Sequence, residues 1–226
     1  MKNMTLRSIK LYFKTTLNPI MMIFPLLFTI GLPIAMAYDP SPKGDKEYMA
    51  MIAAVGGTGQ FGVLIFQLMG LVSRSSCKFF LSAPDGRRLV TVIPTVVTLV
   101  MSLIYDALIC GVSACVTGGE SLPDMLLMCA VGTVAVCFAV SFFGKGRLEL
   151  VFFFCAIFVT LSGVIIGRSS RFSDGFGLTA GKSAAVSAAI LVAGLVINLV
   201  IQSIWWKKAD RVSKRANTVM TMAAAE

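Results

Sequence analysis

Six apolar stretches divide this chain, at about residues 18–38, 49–73, 89–117, 123–143, 149–167 and 183–206. Each is near or above the ~20 residues a helix needs to cross ~30 Å of hydrocarbon. The basic residues between them fall into alternate connections. Lys2, Arg7, Lys10 and Lys14 precede the first stretch; Arg74, Lys78, Arg87 and Arg88 lie between the second and third; Lys145 and Arg147 between the fourth and fifth; and Lys207, Lys208, Arg211, Lys214 and Arg215 follow the sixth or end it. The remaining connections hold only Lys43, Lys46, Arg168, Arg171 and Lys182, beside the acidic Asp39, Asp45, Glu47, Glu120, Asp124 and Asp174. Lys and Arg are retained on the cytoplasmic side of a membrane. The pattern therefore predicts an all-α membrane protein with six transmembrane helices and both termini cytoplasmic.

Composition points the same way. With 57% apolar and 14% charged residues, a soluble globule of this length would lack the polar surface to clothe itself. The net charge of +9 is spread over short connections with no binding motif, so it reads as an orientation signal and not as a nucleic-acid footprint. The first apolar run starts only after a basic segment, is long enough to span, and lacks a small-residue cleavage site, so it is expected to be retained. One membrane domain, residues 18–206, accounts for the body of the chain, between an N-terminal segment 1–17 and a basic cytoplasmic tail 207–226.

In the N-terminal segment Leu6, Ile9, Phe13 and Leu17 recur at helical spacing beside a basic stripe of Arg7, Lys10 and Lys14. It is expected to lie as an amphipathic helix in the cytoplasmic interface before the chain turns inward near Asn18-Pro19. Pro25 and Pro33 should bend the first span or break its outer end. The second span carries Gly56, Gly57, Gly59, Gly62 and Gly70 with Gln60 and Gln67. Small residues let helices approach closely and amides bond across them, which favours a packing seam or subunit interface over a ligand box. A comparable small-residue ridge runs through Ala180, Ala184 and Ala188 of the sixth, with Ser183 and Ser187 beside it.

Chemistry-bearing residues are few. The chain has no histidine, which removes the commonest general base and metal ligand, and no two carboxylates pair inside the spans. No catalytic or metal site is expected. Cys77, Cys110, Cys115, Cys129, Cys137 and Cys155 fall in predicted helices or at a cytoplasmic end and read as small buried apolar residues. Gly177-Leu-Thr-Ala-Gly181-Lys182-Ser183 looks like a phosphate loop but has three residues between its glycines where that loop needs four, and no strand precedes it. Asp106 is the one acidic residue well inside a predicted span. An intramembrane charge is costly, so Asp106 should face protein or a wet cavity, either on a translocation route or proton relay or in a helix pairing. Gln60 and Gln67 are read with it.

The most specific stretch runs from Ser73 to Val90. Lys78, Phe79, Phe80 and Leu81 can form a short amphipathic cytoplasmic helix, Pro84-Asp85-Gly86 a turn, and Arg87-Arg88 an anchor at the start of the third span. This order resembles the coupling segment of ABC-2 type transporter permeases. The likeness extends in architecture over most of the chain: a basic amphipathic start, six spans, a compact second inner connection, and an ending Trp205-Trp206-Lys207-Lys208. The connection from Arg168 to Lys182 is Gly-rich and lacks the sizeable ordered outer region of some members, a departure at which the resemblance implies no extracellular gate or partner contact.

The resemblance implies an ABC exporter subunit that binds no cofactor itself. ATP and Mg would be held by separate ABC ATPase subunits, and a second permease chain, identical or related, would complete a dimer in contact with membrane lipids. Segment 74–88 would couple to the ATPase, with Phe79, Phe80 and Leu81 as packing contacts and Lys78, Asp85, Arg87 and Arg88 as polar ones. Arg87 and Arg88 would serve equally as lipid-headgroup anchors. Two other classes stand beside it: a proton- or ion-coupled secondary transporter centred on Asp106, for which no internal repeat is visible, and a non-transporting immunity or sensory membrane protein.

Overall fold

The structure is a computed structural model, which describes residues 9–10, 12–14, 23, 27–31, 34–35, 38, 59–65, 67, 92–143, 153, 155–157 and 177–207. Apart from short turns, these residues are helical. Three helices dominate: α1 (Ile93–Thr117), α2 (Leu122–Phe143) and α3 (Ala180–Lys207). At 1.5 Å per residue their 25, 22 and 28 residues measure about 37, 33 and 42 Å, and each is long and apolar enough to cross a membrane. They match the third, fourth and sixth apolar stretches to within a few residues.

The faces of these helices are inverted relative to those of a soluble protein. On α1 the buried stripe is Thr95, Thr98, Ser102, Tyr105, Ile109, Ser113 and Thr117, spaced by three or four, while Val96, Val100, Leu103, Ile104 and Leu108 point outward. Helix α3 repeats the arrangement, with Ser183, Ser187, Gly194, Asn198 and Gln202 inward and Val186, Val192, Val196, Ile197, Leu199, Val200 and Ile204 outward. In water this would expose the apolar face and bury hydroxyls and amides. Against hydrocarbon it is the favourable order, because outward polar groups would find no partner there.

Helix α2 is buried around most of its circumference and packs against both α1 and α3. Along nearly its whole length it contributes Met125, Cys129, Val136, Ala139 and Val140 to a core completed by Val63 and Leu64, Tyr105 and Ile109. Two glycines set the approach. A Cβ on Gly194 would lie 2.6 Å from Val134 Cγ2, and one on Gly59 would lie 1.7 Å from the Tyr105 hydroxyl. The Gly59 contact meets the expectation of a close seam in the second apolar stretch. The ridge in the sixth differs: Ala180, Ala184 and Ala188 are exposed, and the packing line is Ser183, Ser187 and Gly194. Hydroxyls seek the interior of such a pack, so the serines and not the alanines turn inward.

A tight turn joins α1 to α2. Gly118 takes the left-handed conformation at φ 65°, closing α1, and Gly119 follows at φ 91°. Ser113, Thr117 and Ser121 share hydroxyl contacts at 2.6 and 2.9 Å across this corner. Asp124, in the first turn of α2, carries the sign that a helix N-terminus favours.

Elsewhere a π-helical turn, Leu27–Gly31, falls in the stretch of sequence between Pro25 and Pro33. Near the N-terminus residues 9–10 and 12–14 are helical. The buried residue is Tyr12, while Ile9, Phe13, Lys10 and Lys14 are exposed. Tyr12 packs on Ile93 and Val97, so this turn meets α1 through its tyrosine. Leu6 and Leu17 lie outside the described residues.

The glycine contacts make a direct prediction. Gly194→Ala should destabilise the protein by about 1–3 kcal/mol, because the added methyl meets Val134 between two packed helices. Gly111→Ala, with nothing within 4 Å of the new methyl, should be neutral or stabilise by up to about 1 kcal/mol through helix propensity. Thermal unfolding of the detergent-solubilised variants compares them.

Candidate functional site

The residues that carry chemistry sit on the inward faces, in three layers along α1. Asp106 is at the helix midpoint, about 16 Å along the axis from both Thr95 and Thr117. Gln60 Nε2 donates to Asp106 Oδ1, and Thr133 Oγ1 donates to Asp106 Oδ2 at 2.7 Å. Gln60 Nε2 also lies 3.2 Å from Thr133 Oγ1. One carboxylate thus gathers an amide from helical residues 60–65 and a hydroxyl from α2. Gln60 is 1% exposed and Thr133 0%, so neither donor is shared with solvent.

Helical periodicity builds this cluster. Gly59 has no side chain, which lets the Tyr105 ring lie against it, and the next residue on each strand of chain, Gln60 and Asp106, then meets across the same contact. Cys129 stands one turn before Thr133 on α2, and its Sγ is 4.0 Å from Cys110 Sγ, one turn beyond Asp106. An open cleft adjoins the cluster, between Gln60, Phe61 and Leu64 on one side and Ala135, Val136 and Ala139 of α2 on the other, with Cys155 beside them.

The layer toward the start of α1 centres on Gln202 of α3. Its amide nitrogen lies 2.7 Å from Thr95 Oγ1, 2.6 Å from Ser141 Oγ and 3.2 Å from Asn198 Oδ1. An amide has two hydrogens, so the longest of the three contacts is the weakest. Asn198 Nδ2 donates to the Cys137 carbonyl at 3.2 Å, and Ser141 Oγ donates to the same carbonyl at 2.8 Å. Three helices are joined by one side chain. The hydroxyls of Thr98 and Thr117 bond back to carbonyls four residues earlier, at 2.7 Å each.

Gln67 does not join the Asp106 cluster. Its Oε1 accepts from the Tyr12 hydroxyl and its Nε2 lies 3.5 Å from Met101 Sδ, so it links the N-terminal turn to the early part of α1. The coupling residues Lys78, Phe79, Phe80, Leu81, Asp85, Arg87 and Arg88 lie outside the described residues. Five cysteines are described and all are free thiols: Cys129 and Cys137 are buried, Cys110 and Cys155 partly so, and Cys115 is exposed on the outward face of α1. Cys115 departs from the expectation of burial, and its neighbours on that face are apolar. Lys182 and Ser183 are inside α3, with Ser183 N bonded to the Thr179 carbonyl at 2.8 Å, so this segment is a helix start and not a phosphate cradle. Among the described residues no group of three metal-binding side chains converges.

Sequence reading passed over Thr133, Thr95, Asn198 and Gln202. The signal was present as polar residues at helical intervals of three, four, seven and eleven inside apolar runs, 95-98-102-106-113-117 in one and 183-187-198-202 in the other. No family model, curated protein or solved structure matches the chain.

Removing one donor from the carboxylate tests the cluster. Thr133→Val should cost about 0.6–2 kcal/mol, the range of interhelical hydrogen bonds in membranes, and Thr133→Ser should restore most of it. Asp106→Leu should cost more than Thr133→Val, because it removes the acceptor of two buried donors, Gln60 and Thr133, where the other variant removes one donor. Equal thermal stability of Thr133→Val and the intact protein would remove the hydrogen bond from the account.

Proposed function

We propose that this chain is the six-span membrane subunit of an ATP-driven exporter, similar in kind to the ABC-2 type permeases. The observation that carries the reading is the segment from Arg74 to Val90, in which a basic residue, an apolar run, a Pro-Asp-Gly turn and two arginines lead straight into α1. It lies in a chain whose basic residues concentrate in alternate connections. The inverted faces of α1 and α3 support the part of the reading that concerns the membrane.

In this mechanism both termini are cytoplasmic, residues 1–17 lie in the inner interface, and two permease chains enclose a substrate route between or beside them. Separate ATPase subunits bind ATP and Mg beneath. Their closure presses on residues 74–88, through Phe79, Phe80 and Leu81 and the polar Lys78, Asp85, Arg87 and Arg88. The push tilts α1 and redistributes the chain between inward- and outward-open states, a shift that requires contacts differing between the two. The scarcity of charge along the spans favours an amphipathic or apolar cargo, and the direction is export. Lipid is the surrounding solvent, and nucleic acid has no part in it.

A secondary transporter coupled to protons or ions is the competing reading, favoured by one feature: a carboxylate at the midpoint of α1, held by Gln60 and Thr133. Co-purification separates the two. The intact chain should capture an ATPase and support ATP turnover, and Phe80→Asp with Leu81→Asp should lose both while still inserting in the membrane. A folded chain that captures no ATPase would sink the permease reading and make Asp106 the centre of the other.

A further inference from the structure

Cys110 and Cys129 stand opposite each other where α1 meets α2, with their sulfurs 4.0 Å apart. The antiparallel register puts them there. Cys110 lies one turn beyond Asp106 on α1 and Cys129 one turn before Thr133 on α2, so the thiols form the next rung after the Asp106–Thr133 contact at 2.7 Å. Toward the turn, the Ser113–Ser121 contact at 2.6 Å closes the other side. Contacts on both sides therefore hold the two sulfurs near each other before any ligand arrives. Cys129 is 2% exposed, Cys110 is half-buried, and both are free thiols. The pair is reached through Cys110.

Separation and surroundings select what such a pair takes. A direct sulfur–sulfur bond of about 2.0 Å would require the sulfurs to close about half the distance between them across two packed helices. A bridging atom with bonds of about 2.3 Å, the length of a zinc–thiolate bond, spans 4.0 Å at an angle of about 120° with no such movement. A structural zinc ion asks for four ligands, and among the described residues no group of three metal-binding side chains converges. The centre that fits forms two bonds to sulfur, brings its remaining substituent with it, and leaves no net charge in the hydrocarbon.

We infer that Cys110 and Cys129 form a two-thiol clamp for a lipophilic trivalent organoarsenical, R–As=O. The thiols condense with it: two arsenic–sulfur bonds form, the arsenic–oxygen bond breaks, and the oxygen leaves as water with both thiol protons. The carbon substituent R stays on arsenic, and nothing is oxidised or reduced. The product is neutral, and R lies on the half-buried side, that of Cys110. The adduct ties α1 to α2 at the rung beside Asp106. This assignment does not rest on the permease reading, because it concerns the chain alone.

The test uses the full-length chain in bilayer nanodiscs, without any ATPase, and phenylarsine oxide as the probe, titrated and read by native mass spectrometry. The intact chain should take up the phenylarsenic group with loss of water, keep it in excess 2-mercaptoethanol, and release it to 2,3-dimercaptopropanol, since only a second dithiol competes with two bonds at once. Cys110→Ser and Cys129→Ser should each weaken uptake by about a hundredfold or more, the loss expected when two linked bonds become one. Cys115→Ser, which removes an exposed thiol of α1, should leave it unchanged. Thermal unfolding without the probe checks that both serine variants are folded, and the probe should raise the midpoint of the intact chain but of neither variant. An adduct released by 2-mercaptoethanol would reduce the pair to two packed thiols and overturn the inference. So would uptake unchanged in Cys110→Ser or Cys129→Ser, or no uptake by the folded chain.

Discussion

A hydroxyl, amide or carboxylate on a helix surrounded by hydrocarbon has to find its partner on another helix, and in this chain that requirement decides which faces meet. Asp106 illustrates it. A lone carboxylate in an apolar surrounding is among the most costly groups a helix can carry, and it is accommodated by donors from two other parts of the chain, Gln60 and Thr133. The Thr95–Ser141–Asn198–Gln202 layer does the same work for α3, tying it to α1 and α2 through neutral groups. With both layers in place, rotation of any of the three helices about its axis would leave several polar groups unpaired at once.

Apolar packing then acts within limits set by those polar layers. Removing water gains little when the surroundings are themselves apolar, so close contact and hydrogen bonds carry the association. The glycines serve close contact. Gly194 lets α3 approach Val134, and Gly59 receives the Tyr105 ring, which brings Gln60 within reach of Asp106. The packing seam and the polar cluster are thus one device: a methyl at Gly59 would displace Tyr105 and, with it, the alignment of the carboxylate and its amide donor.

Several features were legible in the linear chain. The lengths and positions of α1, α2 and α3 followed from uninterrupted apolar runs bounded by glycine, proline and charge, a signal that does not depend on tertiary contacts. Asp106 stood out because a single acid in a long apolar run has few bland explanations, and the glutamines were legible as groups that bond across helices. Less legible was the direction each helix faces. Ala180, Ala184 and Ala188 formed as good a small-residue ridge on paper as Ser183, Ser187 and Gly194, yet the alanines face outward. The inward role of Tyr12, an aromatic with a polar tip that fills apolar space and reaches Gln67, was not read from the N-terminal segment.

The sequence by itself determined that the described helices are built for a hydrocarbon environment and, to within a few residues, where α1, α2 and α3 lie, because length, apolarity and breaker residues are local properties. Only the tertiary structure decided that Gln60, Asp106 and Thr133 share one site and that Gln67 belongs elsewhere with Tyr12. Those outcomes depend on which residues, 27 to 73 positions apart in the chain, are brought to the same depth and the same side of their helices. Spacing along a single helix specifies a face but not the face it meets.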